Sequence, residues 1–462
     1  MNLLNRYFGI CLTAPLLFTT LAISPAQTFT TLTDFDGTTG ASPGPAMQLV
    51  QGLDGFLYGT ATAGGDFNSG TIFRVNTATG FVTRAYSFDS GDAYIPAGGL
   101  VLAANGTFYG TTEFGGPSNL GAVFSFSPNG TLTIIGKDFG GVLGAYPLAG
   151  LMQAPNGVLY GTTAQSLTPN ASTIFKITPA GTDFTLLQDL DASAGYVTLV
   201  QAADGNFYGT TITGGTKMMG EIFMTNPPGD LYILHNFSGN DGQYPYTGLV
   251  LGPHGLLYGV TFYGGSENVG TIFSFTTGGT LTTLHSFHFA NNGYKQGYNP
   301  IAVLVVGSDG NLYGTTSAGG SVDSGVIFKI TPAGQYTVLH NFSTADASPL
   351  SGLVQSTDGN FYGTLSGGGA SNLGIVYKLS TGLPPFVKTL PGAGKVGSTI
   401  DILGTMLTGA TSVTFNGTPA TFQVRQSGAL ITAVVPSGAT SGIVQVTTPN
   451  GTLSSNVAFS VH

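Results

Sequence analysis

Cleaving a glycosidic bond by acid–base chemistry takes two carboxylates about 5–10 Å apart, one of them held protonated. The 462-residue chain has 21 acidic residues, of which Glu occurs only at Glu113, Glu221 and Glu267. Asp36, Asp89, Asp92, Asp138, Asp191 and Asp241 fall near one place in successive segments, a register that argues for turn and cap use rather than one active site. Asp34-Phe35-Asp36-Gly37 and Asp189-Leu190-Asp191 start as calcium loops do, but neither completes the ligand pattern. His235, His285 and His340 occupy one position in three different segments, which separates them, so no zinc site is expected.

Two formal motifs fail on their chemistry. Gly40-Ala41-Ser42-Pro43-Gly44 has the spacing of a nucleophile elbow, yet the residue after its serine is a proline, with no N–H for an oxyanion. Gly392-Ala393-Gly394-Lys395-Val396-Gly397 has dinucleotide-loop spacing, but Ser398 to Ile402 reads as a strand where a helix must start. No catalytic residue is therefore assigned, and no cofactor is expected.

The aromatic set is more suggestive. Tyr94, Tyr146, Tyr196, Tyr244 with Tyr246, and Tyr294 with Tyr298 lie in equivalent connections, several beside proline, and Asp241 shares one of those connections. Tyrosine faces stack on sugar rings while amides and carboxylates bond hydroxyls, so these residues are the candidate ligand-binding set, with a glycan or surface polymer as partner. The alternative is that each Tyr-Pro packs its loop against the next.

These positions follow from a repeat. Tyr-Gly-Thr recurs at Tyr58, Tyr109, Tyr160, Tyr208, Tyr258, Tyr313 and Tyr362, at spacings of 51, 51, 48, 50, 55 and 49 residues, with Val260 the one exception at the third place. An Asp-Gly or Asn-Gly hairpin signal precedes each copy except at His254-Gly255, and every copy except the third carries a Gly-Gly loop after it. Four strand-like runs per unit, seven times, is the arithmetic of a β-propeller. The last unit lacks a fourth strand, while residues 28–35 carry that strand's motif ahead of the first unit, so the N-terminal strand should close the ring.

Composition agrees with an all-β protein. Charged residues are 7% of the chain, against about 25% in an average domain, and Gly numbers 73, which suits short strands and turns better than exposed helices. The net charge of −9, with basic residues scattered singly, excludes a nucleic-acid footprint and a polybasic membrane patch. Residues 1–26 read as a signal peptide ending at Ser24-Pro25-Ala26, and its removal would take the only cysteine, Cys11. An extracellular or cell-surface location follows, without membrane insertion after cleavage; the oligomeric state is left open.

Asp-Gly-Asn-Phe-Tyr-Gly-Thr-Thr (204–211), the Gly-Gly at 214–215 and Gly-Thr-Ile-Phe (270–273) resemble the Gly-rich GloVer tandem repeats over about residues 28–380. The resemblance implies a bacterial surface or secreted protein and little about activity. Kelch repeats are a weaker match, since the chain has no Trp. Residues 381–385 read as a linker, and 386–462 resemble an IPT/TIG domain through Gly394 to Gly404, Ser412 to Gly417, Ile431 to Pro436 and Gly442 to Thr447. The expected architecture is thus a seven-bladed β-propeller at 27–380 closed by an N-terminal strand, then an immunoglobulin-like β-sandwich. The expected function is an exported, non-catalytic binding or adhesion protein, not an enzyme. The alternatives are a propeller enzyme acting on polysaccharide, hydrolase or lyase, and a purely structural surface component.

Overall fold

Every Tyr-Gly-Thr lies in the second strand of an antiparallel sheet, and each of its residues has a packing reason. The computed structural model describes residues 27–462 except 46, 92, 137–138, 141–142, 167–170, 290–295, 347–348 and 426–427. The expected signal peptide at 1–26 lies outside the described residues. In the first sheet Val50–Gln51, Leu57–Ala61, Thr71–Val75 and Val82–Ser87 lie side by side in chain order, and the pattern recurs until seven such sheets are built.

The tyrosine ring is buried and its hydroxyl reaches back to the hairpin turn. Tyr58 donates to Asp54 at 2.7 Å, Tyr208 to Asp204 at 2.6 Å, Tyr313 to Asp309 at 2.9 Å and Tyr362 to Asp358 at 2.7 Å. Where His254 replaces the aspartate, the buried Tyr258 hydroxyl has no partner among the described residues. The glycine sits opposite an aromatic of the third strand: Gly59 faces Phe73, and a Cβ there would lie 2.6 Å from that ring. The same holds for Gly209 under Phe223, at 2.5 Å. The threonine hydroxyl ties its sheet to the next, from Thr60 to the Gly98 carbonyl at 3.0 Å, Thr111 to Ala149 at 2.9 Å and Thr210 to Thr247 at 2.9 Å. Sequence repeat, turn chemistry and inter-sheet packing are therefore one constraint.

Thr28–Asp34 forms the outer strand of the seventh sheet, antiparallel to Ile375–Ser380 and bulged between Thr31 and Thr33. Consecutive sheets share apolar cores. Tyr58 and Ile72 pack with Phe108 and Phe124, and Tyr313 and Ile327 with Phe361 and Tyr377. The same kind of core joins the seventh sheet to the first through Tyr362, Val376, Leu57 and Phe73. The first strands of four sheets, and the residues leading into those of the other three, border a cavity of about 450 Å³.

Beyond residue 385, two four-stranded antiparallel sheets enclose a separate core of Ile400, Ile402, Val413, Phe415, Ile431, Val444 and Val446. Contacts cross to the repeat sheets at their hairpin-turn end. The Phe386 N–H donates to the Thr357 carbonyl at 3.0 Å, Lys388 Nζ to the Gln355 carbonyl at 2.9 Å, and the Thr357 and Thr405 hydroxyls meet at 3.0 Å. No helix of the described residues is long and apolar enough to cross a membrane.

Candidate functional site

Five of the connections enter their sheets through a backbone lock. Ser42, Ile95, Tyr146, Tyr244 and Asn299 all hold φ between 50° and 57°, and each is followed by proline. That proline lies on the glycine opening the third strand of the preceding sheet: a Cβ at Gly220 would sit 2.6 Å from Pro245, and one at Gly270 2.7 Å from Pro300. Tyr146 and Tyr244 therefore hold conserved places in an inter-sheet joint as well as carrying a ring.

The rings fall into separate groups. Tyr94 stacks on Phe114 at 5.4 Å and donates to Asn119, while Tyr146 meets the other side of Phe114 edge-on at 5.5 Å. Tyr244 packs on Tyr263 at 6.1 Å and Tyr246 on Phe262 at 5.3 Å. Tyr298 donates to Asp323 at 2.8 Å, and Tyr294 lies outside the described residues. Phe114, Phe262 and Tyr263, which complete these groups, belong to the diglycine loops, and comparing those loops copy by copy would have found them. Tyr196 borders the cavity between the inner strands; burial and the nearby Glu113 charge raise its pKa. No Asp or Glu is among the described residues lining that cavity.

The candidate aspartates are mostly committed to their own loops. Asp36 is held at about 2, first by the Thr39 main chain and then by the Thr38 side chain. Asp89 accepts the Gly91 N–H at 2.9 Å. Asp241 is bonded by His235 Nε2 at 2.9 Å and by the Ser238 N–H and hydroxyl at 2.8 Å; burial works against its ionisation, but these bonds outweigh it and lower its pKa. Asp92 and Asp138 lie outside the described residues. Of the other two histidines, His285 stacks on Tyr336 at 4.3 Å and is pushed down to about 4 by burial, then by His288. His340 stacks on Phe29 at 3.9 Å. Among the described residues no three His, Cys, Asp or Glu side chains gather as metal ligands would.

Two carboxylates do converge in one pocket, between the third and fourth sheets. It measures about 320 Å³ and is lined by Leu190, Asp191, Gly214, Met218, Glu221 and Ile233, among others. Glu221 opens the third strand of the fourth sheet, where the other copies carry Thr71, Ala122, Thr173, Thr271, Val326 and Ile375. Burial raises its pKa; the Thr211 hydroxyl and the Gly215 main chain pull the other way, and the Asp191 charge adds to the rise. The diglycine loop folds around it, with room only for glycine: a Cβ at Gly214 would lie 2.9 Å from Glu221 Oε2. Asp191 is exposed and, unlike its equivalents Asp36 and Asp89, accepts no hydrogen bond among the described residues.

Met218 departs from the repeat in the same loop. Five other copies place Asn68, Asn119, Asn268, Asp323 or Asn372 there, each accepting the N–H of the loop's first glycine at 2.8–3.1 Å. Met218 holds φ at 56° without that bond and exposes its side chain to the pocket. A non-glycine residue in this region is strained, and such strain gathers at functional sites. Neither residue was singled out above, because a lone Glu or Met signals nothing until the seven copies are aligned.

Sheets of this connectivity, sharing cores in sequence, define an all-β repeat protein of propeller-like build. Residues 19–199 and 195–430 match the Gloeobacter/Verrucomicrobia repeat family, and the chain belongs to that family. No curated protein matches it. Among solved structures it is similar to a fungal alcohol oxidase of the AA5 family in complex with copper, at 14% identity and TM-score 0.52, over 91% of this chain and 98% of that one. It is also similar to oligogalacturonate lyase from Vibrio parahaemolyticus, at 13% identity and TM-score 0.51, over 77% and 97% of the two chains. An oligogalacturonate lyase in complex with manganese matches at 12% identity and TM-score 0.54, over 79% and 94%. At these identities the likeness is one of fold.

The expectation that the chain is not an enzyme is corrected by these comparisons. The three solved proteins named above are enzymes, an oxidase and two lyases. The expectation rested on the repeating register of the aspartates, which says nothing of Glu221, a carboxylate outside that register.

Proposed function

We propose that the chain is an exported propeller enzyme acting on a neutral polysaccharide, with Glu221 as general acid and Asp191 as its partner carboxylate. One observation carries this reading: Glu221 breaks the seven-fold pattern at the place where it shares a pocket with a second carboxylate. Burial favours the protonated form of Glu221, the state that delivers a proton to a leaving oxygen. Exposed Asp191 then serves as base or nucleophile, according to the carboxyl separation with sugar bound. Leu190, Met218 and Ile233 offer an apolar wall to a sugar's C–H face. No Lys or Arg is among the described lining residues, so an anionic uronate would meet only negative charge; this favours hydrolysis of a neutral glycan over lyase chemistry on an acidic one.

In this reading the seven sheets are the blades of one closed propeller, and the connections bearing Tyr94, Tyr146, Tyr196, Tyr244, Tyr246, Tyr294 and Tyr298 hold the rest of the glycan chain. Residues 386–462 form an IPT/TIG-like, immunoglobulin-like sandwich acting as spacer. The oxidase match supports a second unit of this kind, since it covers more of the chain than residues 28–380 hold. The signal-like leader supports an extracellular or cell-surface location.

The test is reducing-end release from a panel of neutral polysaccharides. Wild-type protein should release reducing ends from at least one of them, while Glu221→Gln and Asp191→Asn each lower the rate by about 10²-fold or more with the fold retained. Absence of release across the panel, or full activity in Glu221→Gln, would overturn the assignment.

A further inference from the structure

A third cavity, of about 320 Å³, lies where the repeat sheets meet the C-terminal sheets, far in chain position from Glu221. Its walls are mostly apolar, with Leu49, Val50, Leu53, Val101, Leu102 and Val354 from the repeat sheets and Leu390 and Leu403 from the other side, while Gln48, Gln51 and Thr389 add polar groups. One charged residue, Lys388, is among its lining residues. Its Nζ donates to the Gln355 carbonyl at 2.9 Å and lies 5.5 Å from the centre of the Phe386 ring. Neither contact is an anion, and no salt bridge to Lys388 exists among the described residues. Lys388 is half-buried, and a cation partly withdrawn from water gains from an anionic partner. The amine has three donors and uses one on protein, which leaves the others for whatever enters.

We propose that this cavity is a binding site for a small monocarboxylate with an apolar tail, its carboxylate paired with the Lys388 amine and its tail against the leucine and valine walls. The volume is at the low end of ligand pockets, which limits the tail to a short chain. The two bodies contribute opposite parts: the repeat sheets supply most of the apolar wall and the C-terminal segment supplies the charge. An occupant therefore bridges them and stabilises their joint. Burial lowers the Lys388 pKa to about 8, and Lys388 is the sole titratable group among the described lining residues. Binding of the carboxylate is consequently strongest below that value and fades as the pH rises through it.

Calorimetric titration of the full chain with hexanoate, and with hexanol as the uncharged control, tests the site. Hexanoate should bind saturably at about pH 6.5, at least tenfold more tightly than hexanol, and lose affinity above about pH 8. Lys388→Met should remove the preference for the acid. Val101→Trp, which fills the cavity and leaves the amine in place, should weaken both ligands, and it keeps the test alive if the lysine variant fails to fold. Equal binding of hexanoate and hexanol to the wild type, or undiminished hexanoate binding in Val101→Trp, would overturn the proposal. The activity of Glu221 plays no part in either outcome.

Discussion

Glu221 stands where three other copies have a threonine whose hydroxyl holds the incoming loop, as Thr71 holds the Thr39 carbonyl at 2.9 Å and Thr173 that of Leu143 at 2.9 Å. Ala122, Val326 and Ile375 make no such bond either, and the fourth sheet differs from all six in placing a half-buried acid there. The acid's raised pKa makes its energetic effect depend on pH. In the unfolded chain the group ionises earlier than in the folded one, so the folded state suffers no penalty below the ordinary glutamate value and the full penalty above the raised one. Replacing it by a side chain that cannot ionise removes that penalty. Glu221→Gln should match the wild-type melting temperature at about pH 4 and exceed it at about pH 7. The gain should be about one degree, since the group is part-exposed and the domain large. A gain of equal size at both pH values would show that ionisation is not its source.

At the scale of the strand, most of the architecture was legible in the sequence, because the signals that specify it are local. Asp-Gly and Asn-Gly set hairpins, Tyr-Gly-Thr sets the second strand, and the missing fourth strand of the last copy pointed to the N-terminus. The structure pairs Thr28 with Ser380 and Asp34 with Ile375, as that reading required. The site was less legible. Which loops face one another depends on inter-sheet packing, so neither the Tyr94–Phe114–Tyr146 group nor the Glu221–Asp191 pocket could be read from spacing within one copy. The N-terminal strand also carries Phe29 against His340 and Tyr377, and Phe35 against Phe73 of the first sheet. Its removal therefore opens two cores as well as one sheet edge. Deleting residues 27–36 should cost several kcal/mol, the loss of buried Phe35 alone being about 3–5 kcal/mol, to which part-buried Phe29 adds. It should strongly lower the melting temperature; thermal unfolding unchanged by the deletion would refute strand donation.

For the molecule as a whole, the question is whether its two parts move independently. The Pro-rich segment 381–385 suggested a free linker, across which few contacts would pass. The structure instead places three hydrogen bonds across the boundary, from Phe386, Lys388 and Thr405 to the turn at residues 355–357. It also sets the backbone of Gly359 against the Leu383 and Pro384 carbonyls, too close for a side chain there, and brings Ala429 to the Gly55 turn. These are contacts of the modest, partly polar kind found between domains, which hold at high local concentration and weaken when the chain no longer enforces it. Each part has its own core, so each should survive a cut. Proteolysis within 381–385 should then give two folded fragments that co-elute at roughly 100 μM and separate on dilution to below about 1 μM, the range of a weak interface. Hexanoate should shift that separation to lower concentration, because a ligand bound by both fragments stabilises their union by mass action. Fragments that elute apart at every concentration would make the boundary a true linker, and small unfolded peptides from residues 386–462 would deny that part a core of its own.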